Sequence, residues 1–495
     1  MMKKSIYIGV LALALTTVAT SCSDEYLETT PTHQVSTASA FATVDNAWAA
    51  LNGIHRTLYT RVLGQQQQGG QSGNMLQMDV LGEDLVFVTS ASQWLLAEYQ
   101  WLGHINPTHR SVEYNYQFYY IIIGNVNMIL ANIDGAAGSE ADKNYIKGQA
   151  FAYRAWSYYQ MVQLFGERYV GGSANNGLGV SLVLTPGLEA IPRNTVEEVY
   201  TQINADLDQA ISLLEGYDRG TDKSQLNSNV AKGLKARVAL TQQNYPVAAT
   251  YAREARAGFP LMSAAEYLSG FNNYSVGEWM WGSRMTADQV DTWASFFAHM
   301  SINFSSTIIR TSPKVMYSVL YDQISDTDIR KQLWDPTGAN VTDFPLPLPT
   351  FTRHPYLSRK FSVVNESSSM GDVPYMRAAE MYLIEAEALA RSGNEQAADV
   401  LYEYAVVRDP AYTRSTNTGQ ALVDEILIQR RSELWGEGFR FYDLKRTNTP
   451  LVRAGNHSAT YAVTINVPTG DIRWQFLIPQ DEINNSNGVV TQNPQ

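Results

Sequence analysis

The chain has 495 residues, 45% of them hydrophobic and 17% charged, with a formal net charge of −12 and one cysteine. The excess of acid argues against a nucleic-acid partner and against an electrostatic grip on anionic lipid. A lone cysteine excludes an internal disulfide, so stability has to come from a large apolar core, and the length allows one big domain or two. Weak charge combined with 29 tyrosines suits neutral polar ligands, whose C–H faces stack on aromatic rings, although most rings in such a chain belong to the core.

In chain order, Lys3 and Lys4 precede an apolar run from Ile6 to Val18, which ends at Ala19-Thr20-Ser21-Cys22. A basic start, a short apolar stretch and small residues before a break form a secretory signal over residues 1–21. The run is too short for a permanent membrane span, and no later run is long enough for one. The single cysteine at the break points to a bacterial lipoprotein signal, with Cys22 acylated and becoming the new N-terminus. Cleavage removes two lysines and no acid, so the net charge of −12 becomes −14. Residues 22–40 read as a polar tether. Trp48, Leu51, His55, Leu58 and Val62 recur at helical spacing. A glutamine-rich stretch, Gln65 to Gly73, follows; it is able to offer amides to a ligand, and its composition reads as a flexible connector.

Helical patterns then dominate, over about 114–133 and about 140–165, the second with Gly148, Ala152 and Ala155 placed for close helix packing. Thr195 and Glu198 form a capping box that opens a helix through Val199, Ile203, Leu207, Ile211 and Leu214, stopping at Gly216. Ala239-Leu240 with Ala248-Ala249 repeats as Ala388-Leu389 with Ala397-Ala398, the small-residue spacing of a tetratricopeptide helix-turn-helix. The copies are far apart, so separated helical hairpins are expected to stack, over about 114–257 and 376–446. Between them, an irregular lobe at about 258–372 carries Gly, Asn and Pro punctuation and the run Pro345-Leu346-Pro347-Leu348-Pro349. Long irregular segments of this kind are usually functional.

Four motifs resemble one family. Cys22-Ser23-Asp24-Glu25-Tyr26-Leu27 looks like a lipidated start with acids behind the cysteine. Met376-Arg377-Ala378-Ala379-Glu380, running on to Ile384-Glu385-Ala386-Glu387-Ala388, is similar to an Arg-Tyr-Ala-Glu … Ala-Glu-Ala helix. Arg430-Arg431-Ser432-Glu433-Leu434-Trp435-Gly436-Glu437-Gly438-Phe439-Arg440, with Asp443-Leu444 and Arg446, forms the third block, and Ile478-Pro479, Glu482-Ile483 and Gln492-Asn493-Pro494 the fourth. Together they resemble the SusD/RagB family of outer-membrane nutrient-binding lipoproteins of Bacteroidetes. Departures fall at the end, where Ser486-Asn487 replaces a central Asn-Pro and no Gly-Tyr closes the chain. The resemblance implies a mainly α, SusD-like fold over residues 41–495, with four tetratricopeptide-like helix pairs as scaffold and a loop-rich lobe carrying the ligand site. It implies no enzymatic activity, no cofactor, lipid anchoring on the cell surface, and a TonB-dependent (SusC-like) outer-membrane transporter as partner. The cargo it implies is glycan, with peptide as the alternative.

Enzyme readings are weak on the residues themselves. Glu433 and Glu437 lie one helical turn apart, but Arg430, Arg431 and Arg440 beside them favour ion pairing over a hydrolytic pair, which has to flank a bond from both sides; a glycoside hydrolase remains the outside alternative. His104 and His109 have no metal-ligand spacing, and Asp322, Asp326 and Asp328 lack the Gly and Glu of a calcium loop. For binding, Trp94 and Trp101 are expected as stacking surfaces, with Asp84 and Glu98 accepting from ligand hydroxyls. Trp293, Asn303 and Arg284 form a second candidate group, and Trp279 and Trp281 share a strand face that serves either as a platform or as an anchor for the lobe.

Overall fold

The computed structural model describes residues 37–495 except Ser92. The signal segment, Cys22 and most of the tether therefore lie outside the described residues. The fold is mainly helical. The longer helices are α1 (Val44–Thr57), α2 (Gly70–Val80), α3 (Arg110–Asn132), α4 (Glu140–Phe165), α5 (Val196–Leu213), α6 (Ser228–Thr241), α7 (Tyr245–Ala255), α8 (Ala378–Arg391), α9 (Ala397–Arg408), α10 (Gly419–Glu433) and α11 (Arg440–Thr447). Among the described residues no helix is long and apolar enough to cross a membrane.

Local chemistry sets the helix ends. Ser139 caps α4 by accepting from the Asp142 N–H, and Thr195 and Glu198 close the expected capping box on α5. Helix α4 is the axis of the scaffold: from Gly148 onward nearly every side chain is buried. Gly148 is needed there because a Cβ would meet Leu213 and Leu214 at the end of α5. α4 packs on α5 and α3, α6 on α7, and α8 on α9. α7 also packs directly against α8, so the two Ala-rich hairpins stack although the whole lobe separates them in sequence.

The segment between α7 and α8 is built from short pieces. Strands β1 (Leu85–Phe87), β3 (Lys314–Met316), β4 (Trp334–Asp335) and β5 (Leu357–Ser358) form an antiparallel sheet in the order β1-β3-β5-β4, with Phe87 opposite Lys314. Strand β2 (Trp279–Gly282) pairs with β6 (Pro374–Arg377) just ahead of α8, and β7 (Leu451–Val452) pairs with β8 (Asn466–Val467). Trp279 and Trp281 are fully buried in β2. Trp281 packs edge-on against Tyr153 and Trp156 of α4 and against Tyr375 of β6. This pair therefore anchors the lobe to the helices and offers no platform.

Candidate functional site

The chain's densest polar cluster is sealed inside the scaffold. Arg377 holds Glu433 at 2.8 Å and Glu437 at 2.6 Å and also contacts Glu278. Arg408 holds Glu278 at 2.7 Å and Glu433 at 3.1 Å. Lys360 donates to Glu437 at 2.7 Å, and the Tyr404 hydroxyl donates to Glu433 at 2.7 Å. Burial pushes the Glu433 carboxyl up, but Arg408, Arg377 and Arg330 outweigh it and hold the group well below the usual carboxylate range. Glu380, Glu385 and Glu387 are likewise bound by Arg237, by Arg253 and Arg256, and by Arg446. With every carboxylate committed to a cation, Glu433 and Glu437 have a structural role.

Several expected contact residues belong to this interior. Asp84 is buried; its carboxylate takes the Arg431 guanidinium at 3.0 and 3.2 Å through Nε, and its main-chain oxygen takes the Trp435 indole at 2.7 Å. It has no free oxygen for a hydroxyl. Trp101 is fully buried; its indole donates to the Leu81 carbonyl at 2.8 Å, and its ring meets Trp474 edge-on at 4.9 Å. It is core and cannot stack on a ligand. The Asn303 amide is also spoken for: Oδ1 accepts from Val363 N at 2.9 Å and Nδ2 donates to Val363 O at 2.8 Å, so it clasps two loops together.

The other candidates reach the surface. Trp293 is 41% exposed, tilted against Phe304 at 6.2 Å. The Asp291 carboxylate steadies its loop by taking the Arg61 guanidinium at 2.6 and 2.8 Å and accepting from Trp293 N at 3.3 Å. Arg284 is exposed, with its guanidinium 5.6 Å from the Tyr274 ring. Trp94 is half-buried in the loop that leaves β1. Because β1 and β3 are antiparallel with Phe87 opposite Lys314, that loop departs from the end of the sheet where the 302–313 segment carrying Phe304 arrives.

The glutamine-rich stretch joins these pieces and is not a flexible connector. It is a tight loop running straight into α2: Gln68 Oε1 accepts from Gln65 N at 3.0 Å, and Gln68 Nε2 donates to the Arg110 carbonyl at 3.2 Å. A Cβ on Gly69 would collide with the Ala294 carbonyl, and Gly70 sits at φ +51° against the end of α1. His299 Nε2 contacts Gln66 O at 3.2 Å. The loop thus lies between the Trp293 loop on one side and His109–Arg110, at the start of α3, on the other. Beyond His109 is Glu98, which is buried with its Oε1 unpaired and 3.8 Å from His109 Nδ1. Gln66 Oε1 and Gln67 Oε1 are also covered without a hydrogen-bond partner. Trp293 is therefore the open ring of this region, whereas the oxygens of Gln66 and Gln67 are covered and Glu98, expected to accept from a ligand hydroxyl, is sealed beneath the surface. Arg61, His109 and Arg110 complete the region. Nothing in the sequence marks these three, since their partners are distant in the chain or make main-chain contacts. Among the described residues no group of His, Cys, Asp and Glu is arranged to hold a metal ion.

Comparison with known proteins agrees with this architecture. A curated relative, the SusD-like protein P2 of Formosa agariphila, is 25% identical, with the match covering 76% of this chain and 79% of that protein. A SusD-like carbohydrate binding protein from Bacteroides vulgatus superimposes with a TM-score of 0.80 at 24% identity, covering 90% of this chain and 97% of that one. A laminarin binding SusD-like protein superimposes with a TM-score of 0.70 at 21% identity, covering 92% and 100%. Residues 25–240 match a family model described as starch-binding and associating with the outer membrane, and residues 240–495 match the SusD family model. With more than half of its length matched by that second model, on a fold these structures share, the chain belongs to the SusD family.

Proposed function

We propose that the chain is a cell-surface glycan-binding lipoprotein, held in the outer membrane through acylated Cys22, that captures oligo- or polysaccharides and delivers them to a TonB-dependent transporter. The observation that carries the glycan reading is the 41% exposed Trp293 ring, on a loop steadied by the Arg61–Asp291 ion pair. A sugar offers its C–H face to such a ring. The acidic clusters are neutralised inside the scaffold, so binding proceeds without turnover and relies on many weak contacts. A relative described as laminarin binding and another described as a surface glycan-binding protein support the same cargo class.

The test is a screen of the chain from residue 23 onward against neutral polysaccharides, acidic polysaccharides and peptide mixtures, by affinity gel and calorimetry. Retention by a glycan and not by peptides is the expected result. Peptide binding without any glycan binding transfers the role to peptide cargo. New reducing ends after prolonged incubation with a bound polysaccharide would replace binding with hydrolysis. Cys22→Ala tests the anchor: the protein should move from the membrane fraction to the soluble fraction.

A further inference from the structure

Asparagine followed by glycine is among the least durable pairs in a polypeptide. The glycine nitrogen, unshielded by a Cβ, attacks the asparagine side-chain carbonyl carbon; a C–N bond forms and ammonia leaves. Water then opens the resulting succinimide at either carbonyl. One opening gives aspartate. The other gives isoaspartate, whose main chain runs through the former side chain and is one methylene longer. The reaction needs a glycine N–H outside the backbone ladder and a chain able to bring the side chain onto it. Three such pairs occur: Asn52-Gly53, Asn176-Gly177 and Asn487-Gly488. All three asparagines are exposed, so conformation is what separates them.

Asn52 and Gly53 lie inside α1, where the Gly53 N–H belongs to the helical ladder. Asn52 Oδ1 also accepts from Gln225 Nε2 at 3.2 Å. Ring closure there requires α1 to open. The other two pairs lie in loops. Neither the Gly177 N–H nor the Asn176 side chain bonds to any described residue. The adjacent Asn175 is the contrast: Oδ1 accepts from Val170 N at 2.9 Å, Nδ2 donates to Glu197 Oε2 at 3.1 Å, and no glycine follows it. Asn487 and Gly488, at φ +51° and +84°, are the central residues of a turn closed by Val489 N on Ser486 O at 3.1 Å. The Gly488 N–H and the Asn487 side chain likewise bond to no described residue.

We propose that Asn176 and Asn487 are sites of spontaneous deamidation, while Asn52, with the same sequence signal, is protected by its helix. Neither site depends on what the chain binds. Asn176 carries the larger consequence. Asn175 O accepts from Glu197 N at 3.1 Å and Gly177 O from Val196 N at 2.8 Å. These two carbonyls satisfy donors that the first turn of α5 leaves open. A methylene added between them breaks their spacing. The new carboxylate also arrives beside Glu197, and beside Glu167, whose carboxylate comes within 2.7 Å of where a Gly177 Cβ would stand. Deamidation at Asn176 therefore loosens the start of α5, whereas at Asn487 it alters an exposed turn.

The test is peptide mapping by mass spectrometry of the purified protein, incubated for days in mildly alkaline buffer, folded and in urea. Conversion reads as a gain of one mass unit, and isoaspartate as a separate peptide peak. In the folded protein Asn176 and Asn487 should convert at least about tenfold faster than Asn52. In urea the three rates should converge. The aged protein should melt below a fresh sample, and Asn176→Gln, whose longer side chain closes the ring poorly, should keep its melting temperature. Equal rates at all three sites in the folded protein would overturn the proposal. So would persistence of either loop asparagine in the folded protein while the urea sample converts. An unchanged melt of fully converted protein would overturn the coupling to α5.

Discussion

The buried network around Arg377 and the surface around Trp293 draw on similar residue types for opposite ends. In the first, four cations (Arg330, Lys360, Arg377 and Arg408) face four carboxylates (Glu278, Asp328, Glu433 and Glu437), so the cluster is buried and balanced in charge. Near the second, one ion pair, Arg61–Asp291, stays part-exposed and steadies a loop. Tryptophan divides the same way: Trp101, Trp279 and Trp281 are sealed, and Trp293 is 41% exposed. In this fold charge and most of the aromatic surface hold the scaffold, and the face around Trp293 is where we propose that recognition takes place.

The sharpest way to break that division is to exchange the outcomes. Glu433→Ala leaves Arg377 and Arg408 buried with too little counter-charge and should cost about 3–5 kcal/mol in denaturant unfolding. Trp101→Ala, which opens a cavity among Leu81, His104 and Trp474, should lose a similar ~3–5 kcal/mol. Trp293→Ala should change stability by less than about 1 kcal/mol yet weaken glycan binding by about 2 kcal/mol, or roughly thirtyfold.

A smaller effect concerns pH. Burial pushes the Lys314 amine down from 10.5 to about 7, because no carboxylate compensates it. Lys445 is pushed down to about 7 by burial, with Glu167 partly opposing. Both lysines bind fewer protons folded than unfolded between pH 7 and 10.5, so stability should rise with pH through that window, by up to about 1.4 kcal/mol per unit for each. Lys314→Met should lower the slope by up to about 1.4 kcal/mol per unit in melts taken across those pH values. An unchanged slope would show that the ammonium is solvated.

Helices were legible in the sequence wherever local chemistry set them. Residues 140–165 and the Thr195–Glu198 box appear as expected, because caps and periodicity act over a few residues. The Ala-rich repeat foretold two similar hairpins, and their stacking places α7 on α8. The site was less legible. Asp84 and Trp101 lie in a short-element region where no period distinguishes an inward from an outward side chain. Their burial is decided by Arg431 and Trp474, each more than 340 residues further along in sequence. The glutamine tract misled through composition: its order comes from Arg110, Ala294 and two close-packed glycines, none of them visible in a run of polar residues. Trp293, expected as a ligand contact, is 41% exposed, which no period in its loop could have told apart from the burial of Trp101.

The most direct measurement is a paired titration of a retained polysaccharide into wild-type protein and into Trp293→Ala, with a thermal melt of each. Binding lost with an unchanged melting temperature is the result predicted here. Full-affinity binding by Trp293→Ala, or binding lost only together with the fold, would contradict the claim that recognition resides on the Trp293 face.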